Sequence, residues 1–156
     1  MSKRSSIGSW AYTIGPYASN PIDFETVCTT LKKLGFDGVE LGGFPPHPNP
    51  GNPNGPNEAW PGAMPEKSQR EELKARMKEW GLGFSGIAAN LWEEKLINTD
   101  DQSKYTAEFR KNSEFCADLG IEGIRVDCVQ PPTIHREIDY ATAMDRVVRT
   151  WKTCSD

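Results

Sequence analysis

The hydrophobic positions along this chain follow a helical spacing in some segments and form short continuous runs in others. Val27, Leu31 and Leu34 stand at intervals of four and three, so they share one face of a helix. The same helical spacing recurs in three later segments, residues 66–80, 98–119 and 140–154. Four short apolar runs are predicted as strands, residues 7–12, 36–41, 82–89 and 121–126. The pattern therefore predicts β-strands and α-helices in strict alternation.

Two of the predicted strands are copies of each other. Leu34–Leu41 and Leu119–Val126 match in kind at every position except one, where Glu40 stands against Arg125. A weaker copy begins at Trp80, and self-similarity at this spacing indicates a repeated structural unit. Glycine adopts the left-handed helix-cap conformation without steric cost. We therefore predict that a helix stops at the glycine of each copy: Gly35, Gly81 and Gly120.

Strict alternation demands parallel strands joined by helical crossovers. Two architectures satisfy it, an open doubly wound sheet and a (β/α)8 barrel of about 250 residues. We predict an α/β fold of the (β/α)8 TIM-barrel type, in which residues 1–156 form one domain of four βα units, the N-terminal half of a barrel. The helical pattern reaches Asp156 without a glycine cap or a further strand, so we expect a fragment of a longer protein.

Residues 42–65 differ from the rest of the chain, because they hold eight of its twelve prolines. A connection of this length is usually a functional loop or a disordered linker. Phe44, His47 and Trp60 lie within it, and linkers seldom carry such residues. The composition favours an ordered active-site loop and leaves the linker open.

Charge and composition narrow the classes of protein. A net charge of −4 without a basic block argues against binding to nucleic acid through phosphate contacts. No apolar run approaches the roughly 20 residues that a membrane span needs, and no secretory signal is present, so we expect a cytoplasmic protein. Four cysteines without a CxxC pair are predicted as free thiols of a reducing compartment: Cys28, Cys116, Cys128 and Cys154.

Three motifs resemble a known family. They are Ile7–Trp10, Leu34–Leu41 and Gly120–Asp127. The sequence resembles the sugar phosphate isomerase/epimerase group of xylose isomerase-like barrels, which includes hydroxypyruvate isomerases, ketose 3-epimerases and endonuclease IV. The resemblance spans nearly all of this chain but only the N-terminal half of the family's fold. It implies an isomerase or epimerase that moves a proton on a hydroxy-carbonyl sugar or sugar phosphate.

The resemblance also implies a divalent metal, Mn, Mg, Co or Zn, held by Glu, Asp, His and Glu of the later strands. Two of those glutamates act as acid and base through an enediolate. We therefore assign no catalytic residue and no metal ligand within this sequence, and we expect this chain alone to be inactive. A non-catalytic half barrel or a sugar-binding module remains open. An endonuclease IV-like nuclease is disfavoured, because the chain is acidic and has only His47 and His135.

In such barrels the active site lies at the carboxyl ends of the strands. The candidate substrate-binding residues follow from this rule: Trp10, Glu40, His47, Asn90 and Asp127. Alternation puts Glu40 on the face opposite Val39 and Leu41, pointing into the barrel. Asn90 and Trp92 suit a sugar pocket, with an amide and an aromatic wall. The expected ligand is a small-molecule sugar or sugar phosphate, and exposed sheet edges predict a homo-oligomer.

Each candidate also has a purely structural interpretation. Glu40 and Arg125 are expected close enough to form an ion pair that serves stability alone. His47 closes over substrate or is a solvated loop residue. Asp127 is expected to hold a sugar hydroxyl or support a metal ligand, or else to serve as a cap or turn residue, and Trp92 could be ordinary packing. Three others are assigned structural places, His135 on the surface and Trp80 and Trp151 in the core.

Overall fold

A computed structural model describes residues 4–52, 60–91, 100–126 and 138–156. The strands are β1 (Ser6–Gly8), β2 (Gly38–Gly42), β3 (Gly83–Ala88) and β4 (Ile124–Arg125). The helices are α1 (Phe24–Lys33), α2 (Lys67–Trp80), α3 (Ser103–Leu119) and α4 (Tyr140–Ser155). Two 3-10 turns, Ser9–Tyr12 and Gly15–Tyr17, join β1 to α1. The predicted alternation is confirmed.

All neighbouring strands are parallel, and their order in the sheet is β1-β2-β3-β4. A doubly wound sheet reverses its strand order at a switch point, whereas a barrel adds each strand beside the last. Residues of α1, α2 and α3 share one apolar cluster with β2 and β3, so these helices cover the same face. The fold is half of a TIM barrel, as the sequence predicts.

The three helix-stopping glycines all adopt the left-handed conformation. Their φ angles are 87° at Gly35, 69° at Gly81 and 74° at Gly120. After each glycine the next backbone N–H returns to a carbonyl of the last helical turn, at 2.9–3.1 Å. These bonds satisfy carbonyls that the helix end would leave unpaired. The repeat in the sequence is therefore a repeat of helix termination.

The apolar core lies between the sheet and the helices. Val39 and Leu41 of β2 are fully buried there, with Leu31 of α1, Met77 of α2 and Phe115 of α3. Of the cysteines, Cys28 and Cys116 are free and buried in this layer, and burial raises the pKa of each thiol to about 12. Cys154 is also free and half-buried, while Cys128 lies outside the described residues.

The three largest differences from the predicted boundaries occur at β1, α3 and β4. The first strand ends at Gly8, because the chain turns into a 3-10 helix at Ser9 instead of extending to residue 12. The third helix begins at Ser103 without a side-chain cap. Asp100, which lies within the predicted segment 98–119, instead accepts a hydrogen bond from Arg146 of α4 at 2.9 Å. The fourth strand keeps only Ile124 and Arg125 of the predicted 121–126.

The described part of the proline-rich loop, residues 42–52 and 60–65, is ordered around one side chain. Asn49 is fully buried and donates to the carbonyls of His47 and Pro61 at 2.8 and 3.0 Å. Its Oδ1 accepts from the Gly51 N–H at 2.9 Å. Asn49 thus connects the two ends of the loop through hydrogen bonds, which disfavours the interpretation of this segment as a disordered linker. The assignment of this loop to an active site stays a prediction.

None of the helices within the described ranges is long and apolar enough to cross a bilayer.

Candidate functional site

Small residues line the face of the sheet that points away from the helices, which we call the inner face. Register places Gly8 of β1 beside Glu40, and Glu40 beside Gly86 of β3. The next level outward holds Gly42, Ala88 and Arg125. Barrel interiors are usually filled by bulky branched side chains. The inner face here carries small residues, and aromatic side chains pack on them, since Trp10 lies against Gly8 and Phe44 lies against Gly42.

Trp10 and Glu40 meet above Gly8, Gly42 and Gly86, which we call the glycine floor of the site. The indole Nε1–H of Trp10 donates to Glu40 Oε2 at 2.8 Å. A Cβ on Gly8 would lie 2.3 Å from that indole nitrogen, so glycine is needed for the ring to lie against β1. A Cβ on Gly86 would lie 3.9 Å from Glu40 Oε1, which places the carboxylate over β3. The predicted direction of Glu40 is confirmed, and its role as a substrate ligand stays a prediction.

Arg125 reaches the same group from β4. Its Cζ lies 5.5 Å from the centroid of the Trp10 ring, within range of a cation–π contact. Both charged side chains thus contact Trp10 on one side of the sheet. The expected direct ion pair is wrong, because no Glu40–Arg125 contact within 4.0 Å occurs in the described structure. Arg125 is level with Gly42, one level above Glu40, since strands of a barrel are staggered.

Asn90 lies at the exit of β3, beside Arg125. Its neighbour Ala89 donates a backbone hydrogen bond to the Arg125 carbonyl at 3.0 Å. A Cβ on Gly43 would lie 2.8 Å from the Asn90 backbone nitrogen, so the exits of β2 and β3 touch. Asn90 is 7% exposed, and its Oδ1 has no hydrogen-bond partner within the described ranges. A buried acceptor without a donor is costly, and a ligand hydroxyl would satisfy it.

His47 is 2% exposed, so its interpretation as a solvated loop residue is wrong. Its Nε2–H donates to the Ile22 carbonyl at 2.8 Å, and its ring packs edge-on against Phe24 of α1. Burial lowers the pKa of the imidazole, and the bond to Ile22 opposes this in part. The neutral ring leaves Nδ1 as an acceptor that finds no partner in the described structure. His47 anchors the loop to α1, and its contact with substrate stays a prediction.

Three of the sequence candidates, Trp92, Asp127 and His135, lie outside the described residues. The two helix tryptophans differ in burial. Trp80 packs against the core and Phe24, as predicted. Trp151 is 41% exposed, so its assignment to the core is wrong. Trp151 lines a groove with Ile124 and Val126 along β4. Because β4 is the last strand of the described sheet, α4 has one neighbouring strand instead of two.

Sequence reasoning missed the floor of the site. Gly8, Gly42 and Gly86 matter because a side chain at any of them would enter the space beside Trp10 or Glu40. Small residues at every second strand position were the available signal. Sequence reasoning also missed Ser9, whose fully buried Oγ has no partner in the described part of the chain.

The described side chains do not fit a metal ion. Within residues 4–52, 60–91, 100–126 and 138–156, no three His, Cys, Asp or Glu side chains cluster as a metal site would require. Glu40 is held by the Trp10 N–H, and the cationic Arg125 contacts the same ring. A separate cavity of about 480 Å³ opens at the opposite end of the strands, lined by Ser5, Asp37 and Glu122 among others. Residues at that end of a TIM barrel usually serve stability.

The fold and the site together define an α/β half barrel that carries Trp10, Glu40 and Arg125 on its inner face near the strand ends. The chain belongs to the xylose isomerase-like TIM barrel family, whose model matches residues 28–156. The apo 3-keto-D-glucoside 4-epimerase YcjR from E. coli has a similar fold, with a TM-score of 0.54 and 18% sequence identity. That match covers 81% of this chain and 43% of the epimerase chain. No curated protein sequence matches this chain significantly.

Proposed function

We propose that this chain forms the substrate-binding half of a sugar isomerase or epimerase. The observation that carries the proposal is the Glu40 carboxylate, held by Trp10 over a floor of glycines at the barrel's inner face. Membership of the xylose isomerase-like family and the fold shared with a 3-keto-D-glucoside 4-epimerase support the same reaction class. The chain spans less than half of that epimerase, so the proposal concerns a protein that also carries the later strands.

The chemistry of this half is binding and orientation. Trp10 holds one carboxylate oxygen of Glu40, which leaves Oε1 to accept a hydrogen bond from a sugar hydroxyl. The Asn90 Oδ1 accepts from a second hydroxyl, and the exposed part of the indole forms an apolar wall. Asp127 would supply a further acceptor two positions beyond Arg125. The acid–base groups and the divalent metal expected from the family would come from the later strands.

Binding by this chain alone tests the proposal. Saturation-transfer NMR against a panel of aldoses and ketoses is expected to detect a bound sugar. Glu40→Gln should weaken that binding by roughly tenfold or more, since hydrogen bonds to a charged group are worth about 1.5–3 kcal/mol. Glu72→Gln, on the exposed surface of α2, is the matched control and should leave binding unchanged. Absence of binding, or equal loss in both variants, would contradict the proposal.

A second candidate function is a sugar-binding module without catalysis. The same Glu40, Trp10 and Asn90 side chains would serve such a module, because sugar binding needs hydroxyl acceptors and an aromatic wall but no acid–base pair. The two candidates differ in D2O, where an isomerase or epimerase exchanges the hydrogen on the carbon beside the carbonyl. A protein that carries the later strands should catalyse this exchange and lose it with chelator. Binding without exchange in that protein would instead establish the module.

A further inference from the structure

Phe44 lies just beyond the carboxyl end of β2 and packs on the inner face of the sheet. A Cβ on Gly42 would lie 2.9 Å from Phe44 Cε1, 3.1 Å from Phe44 Cζ and 3.0 Å from the Cβ of Trp10. The Phe44 ring and Trp10 therefore share the space above Gly42 as neighbours. Phe44 is half-buried there, near the start of the proline-rich loop, and the binding of a sugar by Glu40 and Asn90 gives it no role.

The backbone on both sides of Phe44 is fixed by hydrogen bonds. The N–H of Gly43 donates to the carbonyl of Ala88 at the end of β3, at 2.8 Å. Three residues after Phe44, His47 donates from Nε2 to the carbonyl of Ile22 at 2.8 Å. The two residues between Phe44 and His47 are prolines, and a proline ring fixes its own φ angle. The loop therefore sets the position of the Phe44 ring without the help of a ligand.

The hydrogen bond from Trp10 to Glu40 depends on the orientation of the indole. The indole Nε1–H donates to Glu40 Oε2 at 2.8 Å, and such bonds weaken steeply when donor and acceptor lose their alignment. Gly8 and Arg125 both contact the indole ring itself. Phe44 instead stands beside the Cβ of Trp10, about which the ring turns.

We propose that Phe44 is a positioning residue of the sugar site. Its ring restricts the rotamers open to Trp10, so that the indole N–H stays on Glu40 and Oε1 stays available to the sugar. Phe44 thereby joins the proline-rich loop to the carboxylate on the inner face. The inference rests on the proposed function and deepens it, because it gives the loop a part in setting the affinity of that site.

The indole N–H resonance of Trp10 tests the hold of Phe44 on Trp10 in the absence of any sugar. Trp10→Phe identifies this resonance in a proton–nitrogen NMR spectrum by removing it. Phe44→Ala should shift the resonance upfield, in the same direction as Glu40→Ala, because the hydrogen bond to the carboxylate is lengthened or lost. Phe44→Leu keeps apolar bulk and should shift it by a smaller amount, and it provides the measurement if the alanine variant does not fold.

Phe36→Ala is the matched control. Phe36 is also half-buried, but it precedes the amino end of β2 and packs against the core on the helix side. Its removal should lower the stability to urea and leave the Trp10 resonance in place. A purely structural role of Phe44 would give this same pattern in Phe44→Ala and would overturn the inference.

A double-mutant cycle on sugar binding tests whether Phe44 acts through Glu40. With the sugar of the panel that binds most tightly, Phe44→Ala should weaken binding by roughly three- to tenfold in the parent chain. In a Glu40→Ala background the same change should have little further effect, since the group that Phe44 positions is gone. Residues that act through one another are non-additive in this way.

The outcomes separate this inference from the function on which it rests. An equal loss of sugar affinity with and without Glu40 would make Phe44 a direct contact of the sugar and overturn its positioning role. An unmoved Trp10 resonance in both Phe44 variants would overturn it as well. Failure of the parent chain to bind any sugar of the panel would overturn the proposed function, and the Trp10 resonance would still decide whether Phe44 holds the indole against Glu40.

Discussion

The two faces of β2 present opposite environments within one strand. Val39 and Leu41 point into the layer of helices and are fully buried. Glu40, between them, points to the inner face, where it meets an indole N–H and the backbone of glycines. The helix side is filled by side chains from three helices, whereas the inner side carries small residues.

This difference shows where stability and function reside. The closed helix side excludes water and contributes the hydrophobic free energy of folding. The inner side carries small residues beneath Trp10 and Phe44 and keeps polar groups at the strand ends, where TIM barrels place their active sites. Substitutions on the two faces should therefore affect different properties of the protein.

The largest expected effect compares adjacent residues on the two faces. Leu41→Ala should lower the free energy of unfolding by about 2–5 kcal/mol, because it leaves a cavity in the core. Glu40→Ala should lower it by about 1 kcal/mol or less, since the hydrogen bond to Trp10 that it removes is only part-buried. Urea denaturation of both variants, followed by circular dichroism, provides the measurement. Equal costs would mean that the inner face is a packed core and not a binding surface.

A smaller effect is expected from the floor of the site. Gly8→Ala places a methyl group 2.3 Å from the Trp10 indole nitrogen, so the ring must move and release Glu40. Overpacking of this kind costs about 1–3 kcal/mol. The indole N–H resonance of Trp10 in a proton–nitrogen NMR spectrum should shift by a large amount.

Gly123→Ala is the matched control for the floor. The nearest atom to its added Cβ is the Ser85 carbonyl oxygen at 3.9 Å, an ordinary contact. Its stability should change by less than about 1 kcal/mol, and the Trp10 resonance should stay in place. An unmoved indole in Gly8→Ala would refute the close fit of Trp10 against β1.

Local features of the fold could be predicted from the sequence because their causes are local. Gly35, Gly81 and Gly120 end helices by their own backbone freedom, so the repeat marks the boundaries directly. The inner-face direction of Glu40 follows from the alternation of side chains in a strand. Asp23 caps α1 by accepting from the Thr26 N–H at 2.9 Å, which is typical of an aspartate directly before the first residue of a helix.

Features that depend on distant segments could not be predicted in this way. Equivalent places in the repeat suggested that Glu40 and Arg125 share a level of the barrel. The register of the sheet puts them on different levels, because Glu40 lies beside Gly86 whereas Arg125 lies beside Ala88, and nothing in either strand records that offset. His47 looked like a solvated loop residue because its burial comes from Ile22 and Phe24.

The last and smallest effect concerns His47, which belongs to the closed side of the molecule. Burial lowers the pKa of His47 below its ordinary value of 6.5, so the folded protein holds the neutral ring. In the unfolded chain the imidazole takes up a proton near pH 6.5, whereas in the folded chain it does so only at lower pH. Between these two pKa values the unfolded state binds more protons, and stability falls as the pH falls.

His47→Gln should remove this dependence, since the glutamine amide can still donate to the Ile22 carbonyl but does not titrate. We expect the loss of unfolding free energy from about pH 7 to below 6.5 to be smaller in the variant than in the parent. Urea titrations of both proteins across this range provide the comparison. If the two proteins lose the same free energy of unfolding across this range, the imidazole of His47 is exposed to solvent. The loop around it would then belong to the inner face and not to the buried helix side.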